Sequence, residues 1–200
     1  LVIMTDTAQY GFGSPGEPTQ GAGAIALLME KNPRLLSVDT RVNGIFSKDV
    51  FDFWRPTGHR VPVVDGKYSV ACYLEAMEEA VSHFRSNVGI PRGQLLENLD
   101  YILYHMPFTG MARKAHRHYV DTEPVDLDAE TRQTIYEESF RTKVEPGLLG
   151  AREVGNIYTG SVYGGLASLL EADRDRMEGT RVGVFSDGSG CGAGFFVCQW

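Results

Sequence analysis

Cysteine is scarce in this 200-residue chain. Cys72, Cys191 and Cys198 are the only three, an odd number at scattered positions. Such a set points to reduced thiols in the cytoplasm rather than a disulfide scaffold. No His or Cys spacing matches a metal site, so no metal is expected. No apolar run approaches the ~20 residues needed to span a bilayer, and no signal peptide opens the chain. Positive charge is in deficit too. Lys and Arg number 19 against 26 Asp and Glu, a net charge of −7. That argues against a nucleic-acid surface, although a local basic patch for a phosphorylated ligand stays open. Walker phosphate loops, a G-x-G-x-x-G fingerprint in its required context and a G-x-S-x-G nucleophile elbow are all missing. No cysteine sits where a nucleophile would be expected.

What is present reads as an ordinary globular chain, 42% hydrophobic and 22% charged, long enough for a substantial core. Strand-like runs occupy Leu1 to Thr5, Ala22 to Met29, Leu99 to Tyr104, Arg181 to Ser186 and Gly194 to Cys198. The Ala22 run is small and apolar and fits a buried strand, with a helix also open because short apolar runs are ambiguous. Gly11 to Gly23 is too rich in Gly and Pro for regular structure. Leu35 to Gly44 reads as extended, and Asp52 to Pro56 as an aromatic-rich loop stopped by proline. Ser69 to Asn87 carries apolar residues at helical spacing, with Ser69 as its candidate cap. Further helices are predicted over Met111 to Val120 (basic), Asp128 to Lys143 (polar) and Ile157 to Ala172 (the most apolar). Alternation of strands and helices gives an α/β class with a mostly buried mixed sheet. Both ends interrupt strand-like runs, Leu1 without an initiator Met and Trp200 directly after a strand, so a fragment of a longer fold is expected.

Two positions carry the chemistry. His105 ends the apolar run Tyr101-Ile-Leu-Tyr-His-Met-Pro-Phe108. Asn156 follows Gly155 at the entrance to the most apolar helix. A histidine at a strand end is either a satisfied structural residue or an imidazole offered to a substrate. An asparagine before a helix is either an N-cap or a carbonyl-binding amide. Aimed at one point, the pair would hold a thioester carbonyl as its oxygen becomes negative. Asp6 and Asp52 border apolar runs, where turn or cap roles are usual. Arg113, Lys114, His116, Arg117 and His118 form a basic run, read as a solvated face or as a phosphate site. Cys72 reads as a buried apolar residue, Cys191 as an accessible turn residue and Cys198 as a strand residue; none is chosen as a nucleophile.

Seven segments together resemble hydroxymethylglutaryl-CoA synthase, a family of thiolase-like condensing enzymes. They are Thr5-Asp-Thr-Ala-Gln-Tyr10, Gly16-Glu-Pro-Thr-Gln-Gly-Ala-Gly-Ala24, Asp52-Phe-Trp-Arg-Pro-Thr-Gly58, Val64-Asp-Gly66, Tyr104-His-Met-Pro-Phe-Thr109, Gly155-Asn-Ile-Tyr-Thr-Gly-Ser161 and Phe185-Ser-Asp-Gly-Ser-Gly190. They occur in the family's order, span nearly the whole chain and look closer to the bacterial form. The resemblance implies a thiolase-like layered α-β-α-β-α fold with a mixed sheet. Residues 1–30 would end the N-terminal half, 31–95 would connect, and 96–200 would form the C-terminal half.

The implied reaction condenses an enzyme-bound acetyl group with acetoacetyl-CoA. Hydrolysis then gives 3-hydroxy-3-methylglutaryl-CoA and CoA in the mevalonate route to isoprenoids. By motif, His105 would polarise the acetoacetyl carbonyl, Asn156 would sit near the thioester oxygen, and Asp6 and Asp52 would support the site. Tyr10, Thr19 and Ser189 would line the acyl and pantetheine pocket, with Lys114 near CoA. No cofactor or metal is implied, since acetyl-CoA and acetoacetyl-CoA are substrates. The family's nucleophilic cysteine and general-base glutamate precede the equivalent of Leu1, so the isolated chain is expected to be inactive. Implied partners are acyl-CoA substrates, the missing N-terminal half or a complementary chain, and a second copy in a homodimer.

Rival readings are a related synthase of polyketide β-branching acting on acyl-carrier-protein substrates, a ketoacyl-synthase-III-like enzyme, and a non-catalytic acyl-CoA-binding subunit of a split synthase. Ala115-His-Arg117, Val144-Glu-Pro146 and Gly190-Cys191 lean towards the first. One departure concerns Asp187, which stands where the family usually has an aromatic residue between Ser and Gly.

Overall fold

The computed structural model describes residues 1–124 and 126–200. Strand β7 (Tyr101–Tyr104) ends the main sheet, and every one of its residues is buried. Alternate side chains serve different cores. Ile102 and Tyr104 join one cluster, and Tyr101 and Leu103 the other. That is why the run is apolar throughout rather than alternating. β7 pairs in parallel with β8 (Arg181–Gly188), which pairs antiparallel with β9 (Gly192–Gln199). The far edge of β9 is met by β3 (Ser37–Val38) and β4 (Gly44–Ser47), giving a five-stranded mixed sheet.

One face of this sheet is covered by α1 (Gly66–Val88) and α2 (Thr109–Thr122). Helix α1 buries Cys72, Tyr73, Ala76, Met77, Ala80, Val81 and Phe84, a stripe at helical spacing. It stops at Gly89, whose φ of 72° is the left-handed cap that glycine adopts most easily. Gly44 lets β4 lie directly on α1: a Cβ there would fall 1.9 Å from the Ala80 carbonyl oxygen. Arg85 near the end of α1 pairs with buried Glu123 just after α2, Nε to Oε2 3.0 Å.

The other face is covered by α5 (Gly160–Asp173). This helix also touches a separate hairpin, β1 (Val2–Ala8) with β2 (Gly21–Leu27), on its far side. Helix α5 is therefore packed between two sheets, which explains its nearly all-round apolar character. The layers run α-β-α-β. The β5 (Phe53–Trp54) and β6 (Val63–Val64) ladder leads into α1.

Several sequence expectations shift. Asp65, not Ser69, caps α1, its side chain accepting from the Tyr68 N–H at 3.1 Å. The Ala22 strand is not buried: β2 alternates between half-buried and exposed positions along the hairpin. The aromatic loop at Asp52 contains β5. The polar helix is shorter than Asp128 to Lys143. α3 (Ala129–Ser139) gives way to a π-turn at Phe140–Val144 and a 3-10 turn at Glu145–Leu148. Pro146 has no N–H to continue an α-helical ladder there. A short helix α4 (Leu149–Val154), which the sequence reading did not assign, follows. The apolar helix begins at Gly160 rather than Ile157, because Tyr158 has a φ of 50°, outside helical geometry. Cys191 is buried, not accessible.

Candidate active site

β7 delivers His105 to the sheet's end. The His105 N–H donates to the Phe185 carbonyl at 2.8 Å, continuing the parallel ladder by one step. The Tyr73 hydroxyl, on α1, donates to the His105 carbonyl at 2.8 Å. Both backbone groups of His105 are thus fixed by neighbouring elements. The imidazole is nearly buried, with Nδ1 unpartnered among the described residues. Burial pulls its pKa from 6.5 down to about 4, so the ring is neutral at pH 7. A neutral imidazole donates from one nitrogen and accepts at the other.

Asn156 lies in the turn between α4 and α5. It does not cap α5. Its Oδ1 accepts from the Tyr158 N–H at 2.8 Å and the Ser161 hydroxyl at 3.2 Å. Its Nδ2 donates to the Tyr10 hydroxyl at 2.9 Å. These bonds fix which end of the carboxamide is nitrogen and leave its second N–H uncommitted. The left-handed Tyr158 backbone is part of this turn, and such conformations persist where surrounding contacts over-determine them.

The hairpin loop seats itself on that turn. The Asn156 N–H donates to the Thr19 carbonyl at 3.0 Å. A Cβ on Gly21 would meet the Asn156 backbone at 2.6 Å, and one on Gly155 would meet the Gln20 carbonyl oxygen at 2.2 Å. Only glycine fits at this seam.

His105 and Asn156 open into one cavity of about 690 Å³. Asp6, Tyr10, Thr19 and Ser189 also line it. Asp6 is exposed, and its Oδ1 accepts from the Thr7 N–H. Thr19 turns its hydroxyl to the Gly16 carbonyl. Asp52 is not in the wall. It is buried behind it, with Oδ2 accepting from the Ser69 hydroxyl at 2.8 Å and Oδ1 from the Gly190 N–H at 2.9 Å. It braces the start of α1 against the β8–β9 turn. Lys114 also lies outside the lining. It is exposed, with Nζ 5.7 Å from the centroid of the Phe108 ring, which does line the cavity.

Sequence reasoning did not single out Tyr73, Tyr158, Arg55 or Arg60, all in the lining. The glycine after α4 and the aromatic run at Phe53 gave only local hints of them. His116, taken as one of a basic run, is neither basic nor at the site. Burial, reinforced by Arg117 and Lys143, lowers its pKa to about 3. It bridges the Tyr104 hydroxyl (3.0 Å) and the Ser139 hydroxyl (2.7 Å). Ser139 itself donates to the Ile135 carbonyl, so His116 must donate from Nε2 and accept at Nδ1. Among the described residues no cysteine enters the cavity lining. Burial pushes the Cys191 and Cys198 thiols up to about 11, the reverse of an activated nucleophile.

A mixed sheet layered with helices, flanked by a hairpin and closed by a strand-end imidazole and a turn carboxamide, defines a thiolase-like α/β protein. The chain matches the family model described as hydroxymethylglutaryl-coenzyme A synthase C terminal over residues 36–126 and 119–200. It belongs to that family. A hydroxymethylglutaryl-CoA synthase of Enterococcus faecalis is 38% identical over 197 residues, covering 98% of this chain and 48% of the relative. The corresponding protein of Haloferax volcanii is 38% identical, with coverage of 96% and 50%.

Among solved structures, MvaS in complex with 3-hydroxy-3-methylglutaryl coenzyme A superposes with a TM-score of 0.90 at 40% identity, covering 99% of this chain and 51% of that one. The curacin biosynthetic pathway HMG synthase in complex with acetyl donor-ACP gives 0.86 at 33% identity, covering 98% and 46%. The chain spans about half the length of the relatives it matches.

Proposed function

We propose that these 200 residues form the acyl-acceptor half of a hydroxymethylglutaryl-CoA synthase of the mevalonate route. The reaction joins the methyl carbon of an enzyme-held acetyl thioester to the ketone carbon of acetoacetyl-CoA. Water then releases 3-hydroxy-3-methylglutaryl-CoA, with CoA as co-product. The observation that carries this reading is the convergence of His105 and Asn156 on one cavity, each held by bonds to neighbouring elements. As the new carbon–carbon bond forms, the ketone oxygen becomes anionic. A neutral imidazole N–H stabilises that oxygen and then supplies the proton. The free Asn156 N–H serves the thioester oxygen in the same way. Arg55 and Arg60 are the cavity's cations and suit the phosphates of CoA.

The nucleophilic cysteine and general base must come from outside these residues, in the same polypeptide or a complementary chain. This arrangement acts as a homodimer in the cytoplasm. The likeness to a synthase solved with an acetyl donor-ACP supports a second reading, in which a carrier protein presents the acyl group. Steady-state turnover of CoA and carrier-protein acetoacetyl thioesters, measured on the protein at its natural length, separates the two. His105→Ala should lower kcat by about 10²–10³-fold, as for loss of one oxyanion donor. Undiminished turnover in that variant ends the proposal. So does acetyl transfer onto the isolated 200-residue chain.

A further inference from the structure

Asp187 lies on β8 two residues beyond Phe185, so both side chains project from the same face of the sheet. Phe185 is fully buried, edge-on to Tyr73 with ring centroids 5.2 Å apart. Asp187 continues that row into the cavity, where it forms part of the wall beside His105 and Ser189. Its partner across the ladder is Ala193, which offers no polar side chain. Among the described residues nothing donates a hydrogen bond to its carboxyl. Among the described residues no ion pair engages it, and Arg55 and Arg60, which line the same cavity, do not offset its burial. From α1 it faces the Tyr73 phenol, which is already committed to the His105 carbonyl. From the Asp52 side it faces a second carboxylate, whose two oxygens are both occupied. From the β8–β9 turn it faces the Cys191 thiol, and the nearby end of β7 brings only the neutral His105. An acid without a partner, turned into the cavity that holds the candidate chemistry, is available to whatever enters.

We propose that Asp187 determines specificity by charge: its carboxylate admits neutral 3-oxoacyl thioesters and disfavours thioesters whose acyl chain ends in a carboxylate. The inference rests on the reading of the cavity as an acyl-thioester site. It also gives a direction to release, because a product acyl group that acquires a carboxylate is repelled by the same wall. Burial and Asp52 raise the Asp187 pKa to about 7, so the discrimination strengthens as pH rises through neutrality.

The test compares Kd for acetoacetyl-CoA and glutaryl-CoA by calorimetry, using the protein at its natural length. The shared CoA cancels in the ratio, which isolates the acyl end. Between about pH 6 and about pH 8 the ratio of glutaryl to acetoacetyl Kd should rise about fivefold, because a partly screened like-charge penalty of about tenfold acts only on the ionised fraction and the protonated form still binds. In Asp187→Asn the ratio should stay flat, and in Asp187→Glu the rise should return, which separates charge from a folding defect. A flat ratio in the unsubstituted protein overturns the inference, as does an equal rise in Asp187→Asn. Failure of both thioesters to bind overturns the acyl-CoA reading itself.

Discussion

Replacing Asp187 with Asn should stabilise the fold, and the gain should grow with pH. The ordinary carboxyl pKa of 3.8 is raised to about 7, first by burial and then by Asp52. The folded state therefore holds a proton that the unfolded state has already released between those values. A raised pKa contributes stability that is complete below about pH 4 and lost as pH climbs through 7. At 1.36 kcal/mol per pH unit the loss is about 4 kcal/mol, and about 2 kcal/mol after allowing for the side chain's partial exposure. Asparagine cannot ionise and is nearly isosteric, and it forfeits no hydrogen bond among the described residues. Relative to the unsubstituted chain, Asp187→Asn should be near neutral at pH 4 and about 2 kcal/mol more stable at pH 8, about 4–8 °C in melting temperature for a chain this long. Urea unfolding at four pH values from 4 to 8, followed by far-ultraviolet circular dichroism, measures the difference directly. A difference independent of pH, or one that shrinks as pH rises, refutes the claim that this carboxyl sits unpartnered in a poorly solvated wall.

Other substitutions probe the frame of the site. Tyr10→Phe removes the acceptor for Asn156 Nδ2, so kcat should fall about tenfold, with a change in melting temperature under about 2 °C. Steady-state kinetics and a thermal melt check both halves of that statement. His116→Ala strands the Tyr104 hydroxyl in the core, takes a donor from Ser139 and opens a cavity; chemical denaturation should show a loss of about 2–4 kcal/mol. Gly44→Ala sets a methyl against the α1 backbone, and its cost in the same assay should be about 3 kcal/mol.

The main sheet and its covering helices were legible because periodicity survives in the chain. The stripe from Cys72 to Phe84 reads as a helix, and the uninterrupted apolar Tyr101 to Tyr104 run reads as a strand buried on both faces. Local pattern fails where tertiary contacts decide. Asp65 is the cap because α1 starts at Gly66, which puts Ser69 inside the helix with its hydroxyl donating to Asp52 across the fold. Tyr158 takes its left-handed backbone in a turn anchored by Asn156 and Ser161, which no propensity scale anticipates. His116 looked basic among arginines, yet its position on α2 turns it inwards while Arg113 lies over the ring of buried Phe140 and Arg117 over that of half-buried Tyr136.

At the candidate site the strand-end histidine and the turn asparagine could be picked out from their flanks. Motif alone assigns Asp52 and Lys114 to the site, and the fold sets one behind the wall and the other outside the lining. Asp187 stood out in the sequence only as an oddity. Its surroundings come from three distant segments, so no window of the sequence holds them.

The two glycines at the junction of hairpin loop and carboxamide turn leave no slack between the surfaces they join. A methyl group is already too thick for that gap, so the loop above the cavity cannot slide sideways without dragging Asn156 along.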